Sequence, residues 1–171
     1  YRYLHDECGV TLYHSPYTEF ELDGRKVIVG HGDMLGPRPA GQRILSAIFR
    51  SRLLQWLFSM LHPYWAMMLG KGWSRSNRTS RPVAHIFRGE EEPIIGFAHE
   101  YQRTHPSASA DLFICGHTHC AEVYPLAEGG AVAFLGEWID NPLYGVLGPG
   151  GFELKGYPDR AVIGKSGTTR Q

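Results

Sequence analysis

Apolar and polar positions along the chain change from strand-like runs to helical spacing and back again. The runs Phe20–Leu22 and Lys26–Val29 are rich in β-forming residues and are joined by Asp23-Gly24, which predicts a β-hairpin. Val10–Tyr13 predicts a further short strand. From Gln42 to Leu61, apolar residues recur three and four positions apart, which predicts one long helix.

Proline and glycine divide the next part of the chain. Pro63 suits the first position of a second helix, which Gly70 and Gly72 are expected to end. Residues 73–78 then predict a polar loop, and Pro93 predicts the start of a helix that runs to about Thr104. The predicted helices and the polar loop together form a helical insert between the strands, which covers residues 40–88, approximately.

The last third of the chain predicts mainly β structure, because short apolar runs alternate with glycine turns. The predicted strands are Leu112–Cys115, Ala121–Tyr124, Ala131–Leu135, Tyr144–Leu147 and Phe152–Lys155. Residues 158–171 have little to bury and are expected to form a flexible tail. The pattern favours one α/β domain over residues 1–157 with a helical protrusion, rather than two domains.

Charge is distributed unevenly in a chain whose formal net charge is zero. From Leu35 to Gly89 there are nine basic residues and no acidic one. Such a cationic block must face solvent or an anionic partner such as phosphate, nucleic acid or a membrane surface. Three cysteines without a CxxC pair favour a reducing compartment, and 43% hydrophobic residues indicate an ordinary globular protein.

The sequence Gly116-His117-Thr118-His119 follows a predicted buried strand. Two histidines at positions i and i+2 of a tight turn can point at one small volume, and Gly116 is expected to allow a close turn that a Cβ would obstruct. Neutral imidazole is a common ligand of Zn, Mn and Fe. A surface loop that happens to carry two histidines is the alternative, and the apolar strand before the motif favours metal binding.

His31 follows a second apolar strand in the same manner. Alone it would more often be a structural histidine. Adjacent parallel strands place their carboxyl ends together, however, so the two histidine motifs support each other.

The pairing of VGHGD with ICGHTH resembles the last two of the five motifs of the calcineurin-like metallophosphoesterases. The resemblance implies a metallophosphoesterase-type β-sandwich flanked by helices, with a helical cap insert. It implies two divalent metal ions, one bound by His31 and His117 and the other by His119, with Mn²⁺ expected and Zn²⁺ or Fe²⁺ possible. The first three motifs are not in this chain, and we expect them upstream of Tyr1, so that this piece alone should be inactive.

Within that superfamily, the chain is similar to the UDP-2,3-diacylglucosamine pyrophosphatases of lipid A synthesis. The likeness rests on HGD followed by Met-Leu-Gly-Pro, on FRSRLLQWLFSMLHP and WSRSNR in the insert, and on LGEW near the end. It implies hydrolysis of the diphosphate to UMP and 2,3-diacylglucosamine 1-phosphate by a cytoplasmic enzyme that is peripheral on the inner membrane. Glu137 of LGEW departs from the usual Asp or Ala, and we assign it no role.

This resemblance suggests how the insert would be used, since a lipid-linked nucleotide sugar needs both apolar and cationic contacts. Packing of the same apolar residues onto the domain is the alternative. The predicted acyl-chain contacts are Phe49, Leu53, Trp56, Leu57, Leu61, Trp65 and Met68. The predicted diphosphate contacts are Arg75, Asn77 and Arg78.

Two other functions are compatible with the sequence. One is a phosphoesterase of the same superfamily that acts on a nucleotide or a phosphoprotein. The other is a non-catalytic module that binds membrane or nucleic acid through the basic insert. The favoured hypothesis expects no nucleic acid partner, and the sequence leaves the oligomeric state open.

Overall fold

The computed structural model describes residues 2–37, 40–79, 86–158 and 160–166, and within these the side chains of residues 42 and 76–79 lie outside the description. The chain divides into two compact units, unit 1 (Tyr1–Gly36 and Ile86–Gln171) and unit 2 (Pro37–His85). This boundary is close to the predicted insert of residues 40–88. That the chain is one α/β domain with a helical protrusion, rather than two domains, stays a prediction.

The first two strands of unit 1 form the predicted hairpin. Strand β1 (Tyr17–Leu22) pairs antiparallel with β2 (Arg25–Gly30), and Leu22 lies opposite Arg25. Asp23 and Gly24 both have positive φ angles, of 56° and 69°. A two-residue turn with positive φ at both positions matches the right-handed twist of the strands, which explains why Asp-Gly predicts it well.

Five strands form the larger sheet, in the order β1-β2-β3-β5-β4. Strand β2 is parallel to β3 (Leu112–Cys115), and β3 is parallel to β5 (Ala131–Leu135), while β4 (Ala121–Pro125) is antiparallel to β5. The three parallel strands therefore release the chain at the same edge of the sheet.

The two faces of this sheet are covered differently. Helix α5 (Pro93–Thr104) buries Ile94, Ile95, Ala98 and Tyr101 against one face, at the helical spacing that its sequence predicts. The second sheet, β6-β7-β8, covers part of the other face. Its strands are β6 (Leu143–Gly148), β7 (Gly151–Gly156) and β8 (Val162–Ser166). The predicted α/β class is confirmed, and the more specific metallophosphoesterase sandwich stays a prediction.

Two local predictions in unit 1 are wrong. Val10–Tyr13 is not a strand, because Gly9 (φ 64°) ends helix α1 (Arg2–Asp6) and the Val10 N–H donates to Leu4 O at 2.9 Å. That hydrogen bond is typical of a helix C-terminal cap, so the Val10 N–H caps the end of α1 and does not pair with a strand. The expected flexible tail contains β8, where Gly164 lets Val123 approach: a Cβ there would lie 2.8 Å from Val123 Cγ2.

Unit 2 consists of three helices, α2 (Ala40–Arg50), α3 (Arg52–Ser59) and α4 (Pro63–Thr79). The prediction of one helix over residues 42–61 is wrong, because Ser51 is extended (φ −66°, ψ 116°) and its hydroxyl accepts from the Leu54 N–H as an N-cap. The prediction that Gly70 and Gly72 end the next helix is also wrong. Glycine costs an exposed helix about 1 kcal/mol, which the surrounding turns tolerate, so α4 continues through the predicted polar loop.

A helix that is both long enough and apolar enough to span a bilayer does not occur in the described ranges.

Candidate active site

The carboxyl ends of β2 and β3 bring two predicted ligands together. Gly30 pairs with Cys115 in the parallel ladder, and the Gly116 N–H donates to His31 O at 3.0 Å one step further on. The rings of His31 and His117 then meet edge to face, with centroids 5.4 Å apart and an interplanar angle of 76°. Both side chains are exposed, so a small ligand can reach them from solvent.

The backbone of His117 is held in an uncommon conformation. Its φ angle is 66°, and the Thr118 N–H donates to Gly116 O at 2.8 Å across it. This is a γ-turn with positive φ, a rare and strained turn for a residue with a side chain. His119 also has positive φ, at 59°. Strained residues of this kind persist only where the surrounding structure holds them in place, and they cluster at functional sites.

Glycine is required at Gly32, not at Gly116. Gly32 has φ 109°, and a Cβ there would lie 2.9 Å from Ile94 Cδ1 and 3.3 Å from His117 Cβ. At Gly116, a Cβ would meet His31 O and Nδ1 at 3.6 and 3.7 Å, which are ordinary contacts. The expectation that a Cβ at Gly116 would obstruct the turn is therefore wrong. Close packing at Gly32 is what brings the two histidine loops together.

The distance between the two opposed imidazoles is compatible with binding of one divalent ion by the pair. With metal–nitrogen distances of about 2.1 Å and tetrahedral angles, two imidazole centroids lie roughly 5 Å apart. In the described part of the chain, no cluster of three or more His, Cys, Asp and Glu side chains could hold a metal ion. The structure therefore brings together His31 and His117 but does not add His119 to them, and the complete metal site stays a prediction.

A small open cavity of about 320 Å³ lies beside the first histidine. His31, Asp33 and Met34 form one side of it, and Tyr13 and Phe20 line another part. Tyr13 and Phe20 pack edge to face with centroids 5.7 Å apart. The candidate site thus has an adjoining space that is partly aromatic.

Strand β5 brings a third loop to the same edge, and Glu137 organises it. The Glu137 carboxylate accepts backbone N–H groups of Ile139 (2.6 Å), Asp140 (3.1 Å) and Asn141 (2.6 Å). These hydrogen bonds, with that of Asp140 contributing most, and the nearby charge of His119 lower the pKa of Glu137. The sequence prediction missed this residue. Its position directly after a buried parallel strand was the signal that could have revealed it.

The predicted substrate contacts in unit 2 are exposed. Leu53 is 63% exposed and Trp65 57%, and Phe49, Trp56, Leu57, Leu61 and Met68 are exposed as well. Large exposed apolar groups on several helices mark an interaction surface more often than an ordinary solvated face. Arg75 is also exposed, whereas the side chains of Asn77 and Arg78 lie outside the described residues. Their roles stay predictions.

The two cysteines that flank the GHTH motif differ in burial. Cys115 is part of the core beneath α5, and burial raises the pKa of its thiol to about 12. Burial also raises the pKa of Cys120, although the hydrogen bond with Thr118 opposes this. The raised pKa values of the buried Cys115 and the half-buried Cys120 favour a packing role over metal binding at these positions.

Comparison with known proteins adds one relative. The chain is 29% identical over 157 residues to a protein of Porphyromonas gingivalis (strain ATCC BAA-308 / W83), matching 84% of this chain. That protein is a UDP-2,3-diacylglucosamine hydrolase. The chain is similar to a hydrolase. It spans 59% of the length of this curated relative. No protein-family model matches the chain.

Proposed function

We propose that the chain is the histidine-bearing part of a metal-dependent hydrolase that cleaves the diphosphate of UDP-2,3-diacylglucosamine. The products would be UMP and 2,3-diacylglucosamine 1-phosphate, as part of lipid A biosynthesis. The observation that carries this proposal is the opposed pair His31 and His117 at the ends of two parallel strands. The similarity to a UDP-2,3-diacylglucosamine hydrolase supports the choice of substrate.

The reaction adds one water molecule across a phosphoanhydride. The water oxygen forms a new bond to one phosphorus atom, the bond from that phosphorus to the bridging oxygen breaks, and a proton is released. Two divalent ions, Mn²⁺ in our proposal with Zn²⁺ or Fe²⁺ also suited to the ligands, would supply Lewis-acid charge and activate water.

The residues of this chain have distinct parts in that reaction. His31 and His117 would hold one ion through ring nitrogens, and His119 would contribute to the other. The Gly116 N–H and the close contact at Gly32 hold the backbones of the two residues next to each other. A site that is arranged in advance loses less free energy on binding a ligand.

Unit 2 would bind the lipid part of the substrate. Its exposed apolar side chains suit acyl chains, and its excess of arginine suits phosphate groups or anionic headgroups. This surface would also hold the protein at the cytoplasmic face of the inner membrane. These exposed apolar and basic side chains support a lipid-linked substrate over a soluble nucleotide or a phosphoprotein.

A matched pair of substitutions tests the proposal in the full-length protein loaded with Mn²⁺. Leu53 and Ile44 are both 63% exposed on helices of unit 2, but only Leu53 belongs to the predicted acyl contacts. Leu53→Ser, alone and with Trp65→Ser, should raise KM for UDP-2,3-diacylglucosamine, whereas Ile44→Ser should not. Turnover of a soluble phosphodiester should be the same in all three proteins.

Different results would favour the other functions. Equal KM values for the lipid substrate in all variants, with turnover of soluble nucleotides, would indicate a different phosphoesterase. Absence of hydrolysis together with tight binding to anionic vesicles or to nucleic acid would indicate a non-catalytic module. Either result would overturn the proposal.

A further inference from the structure

The loop that follows β5 lies at the same sheet edge as the two histidines. Cys115 pairs with Phe134 in the parallel ladder between β3 and β5, as Gly30 pairs with Cys115 between β2 and β3. The chain therefore leaves all three strands at one level of the sheet. Residues 136–142 follow β5 just as His117 follows β3.

The conformation of this loop is fixed from both ends. At its start, Gly136 has φ 76°, and a Cβ there would lie 2.8 Å from Leu143 Cδ1. In its middle, the Glu137 carboxylate binds three successive N–H groups, as described above. At its end, Pro142 O accepts the Tyr157 N–H at 3.0 Å. A loop with these constraints presents its remaining side chains in defined positions.

Two aromatic rings lie side by side on the outside of this loop. Trp138 and Tyr157 are each 60% exposed, and their centroids are 6.0 Å apart with an interplanar angle of 30°. In this tilted arrangement both rings keep much of their aromatic surface open to solvent. An exposed pair of aromatic rings on a constrained loop offers a surface on which a planar ligand can stack.

The charges of the loop that carries Trp138 favour one kind of ligand. The loop carries two carboxylates, Glu137 and Asp140, and no basic residue between Gly136 and Pro142. Negative charge next to the rings disfavours insertion into an anionic lipid surface. A neutral planar base that carries N–H donors suits both the aromatic surface and the adjacent acceptors.

We propose that Trp138, supported by Tyr157, stacks against the uracil ring of the nucleotide substrate. This inference rests on the proposed function, which supplies a uridine nucleotide. It makes Trp138 a residue that determines specificity for the base, beside the histidines that act at the phosphates. Stacking on an aromatic side chain is tolerant of small shifts in ligand position, so it suits a ligand that is also held by its phosphates.

The experiment measures binding, so that it does not depend on turnover. UMP and ribose 5-phosphate are titrated into the Mn²⁺-loaded full-length protein and followed by calorimetry. The wild type should bind UMP more tightly than ribose 5-phosphate. Trp138→Ala should weaken UMP binding roughly 5- to 150-fold, the usual range for loss of one base stack, and should leave ribose 5-phosphate unchanged.

Two further variants keep the result interpretable. Trp138→Phe retains a stacking ring and should recover most of the affinity for UMP, even if Trp138→Ala folds poorly. Tyr3→Ala removes a ring that is 70% exposed on α1, and it should change nothing.

Several outcomes would overturn the inference. One is equal binding of the two ligands by the wild type, and another is equal loss of both in Trp138→Ala. A third is weaker binding to anionic vesicles with unchanged UMP affinity, which would assign Trp138 to a lipid surface. Each is separate from failure of the proposed function, which appears as no hydrolysis of UDP-2,3-diacylglucosamine by the wild type.

Discussion

His31 and His117 face each other with ring centroids 5.4 Å apart, although one belongs to the first third of the chain and the other to the last. The backbone brings the two residues together, because the Gly116 N–H donates to His31 O and extends the parallel ladder by one step. Their geometry therefore depends on the register between β2 and β3.

Removal of either ring should abolish tight metal binding. His31→Ala and His117→Ala in the full-length protein should weaken Mn²⁺ binding by more than the roughly 10- to 100-fold cost of losing an outer-shell partner. His5→Ala is the control, since His5 is exposed on α1 and bonds its neighbour Asp6. Metal content after dialysis and calorimetric titration measure the effect. Unchanged affinity in both site variants would exclude these residues as ligands.

Substitution at Gly32 should destabilise the protein, because it disturbs the contact between the loops that carry His31 and His117. Gly32→Ala places a Cβ 2.9 Å from Ile94 Cδ1 in a left-handed backbone, so we expect the free energy of unfolding to fall by about 1–3 kcal/mol. Gly96→Ala is the matched control within α5, where a Cβ meets nothing within 4 Å. It should raise stability by about 1 kcal/mol. Denaturant unfolding of both proteins checks the prediction, and equal stabilities would contradict it.

The buried side-chain amide of Gln102 connects α5 to two loops through hydrogen bonds. Its Nε2 donates to Ala110 O at 2.7 Å and to Gly129 O at 2.9 Å, and its Oε1 accepts the Ala110 N–H at 2.9 Å. Gln102→Met keeps the shape of the side chain and leaves these backbone groups without their partner, at a cost of about 1–3 kcal/mol for each unsatisfied group.

Hydrogen exchange provides a sharper measurement for this variant than stability alone. The Ala110 amide should lose protection in Gln102→Met. The Gly96 amide, which bonds Glu92 O within the first turn of α5, should keep its protection. Full protection at Ala110 would mean that another acceptor replaces the glutamine.

His99 should make stability depend on pH. Partial burial would lower the pKa of His99, but hydrogen bonds to Glu128 (2.7 Å) and Glu90 (2.9 Å) outweigh it and raise this pKa above its ordinary value of 6.5. Tyr124 also faces the cluster and donates to Glu90. Because the folded state holds the proton more tightly, this contribution is complete below about pH 6.5 and is lost as pH rises through the raised pKa.

Stability measured across that range tests the cluster. His99→Gln should flatten the decline in the free energy of unfolding as pH rises above 6.5. Glu128→Gln should flatten it in part, since Glu90 still bonds the other ring nitrogen. An unchanged slope in His99→Gln would mean that other groups cause the dependence.

Local sequence signals correctly predicted those elements whose conformation is set by their own residues. Asp23-Gly24 supplies its own turn geometry, and Pro93 its own helix start, so both predictions are confirmed. Ser51 was missed because its hydroxyl offers the backbone an alternative to helix that a hydrophobic pattern does not register. Strand β8 was missed because its stability comes from β7 and Val123, which are distant along the chain.

Part of the candidate site was also predictable from local sequence signals. The ends of apolar strands identified His31 and His117, since parallel strands must release their chains at one edge. Glu137 and Trp138 follow a strand of the same set, but they carry no recognised ligand motif and were assigned no role. Their arrangement depends on hydrogen bonds to three backbone amides, which only the folded loop reveals.

The path of the chain at Gly36 has an evolutionary consequence. Gly36 closes against the backbone of Pro93, the residue that begins α5, so the connection from β2 leaves unit 1 beside the point where its own helix starts. Segments of different length and character could be exchanged between Gly36 and Ile86 without altering the register of β2 and β3. If unit 2 binds the substrate as proposed, replacing this segment would change the substrate while the same two strands continued to present the same two histidines.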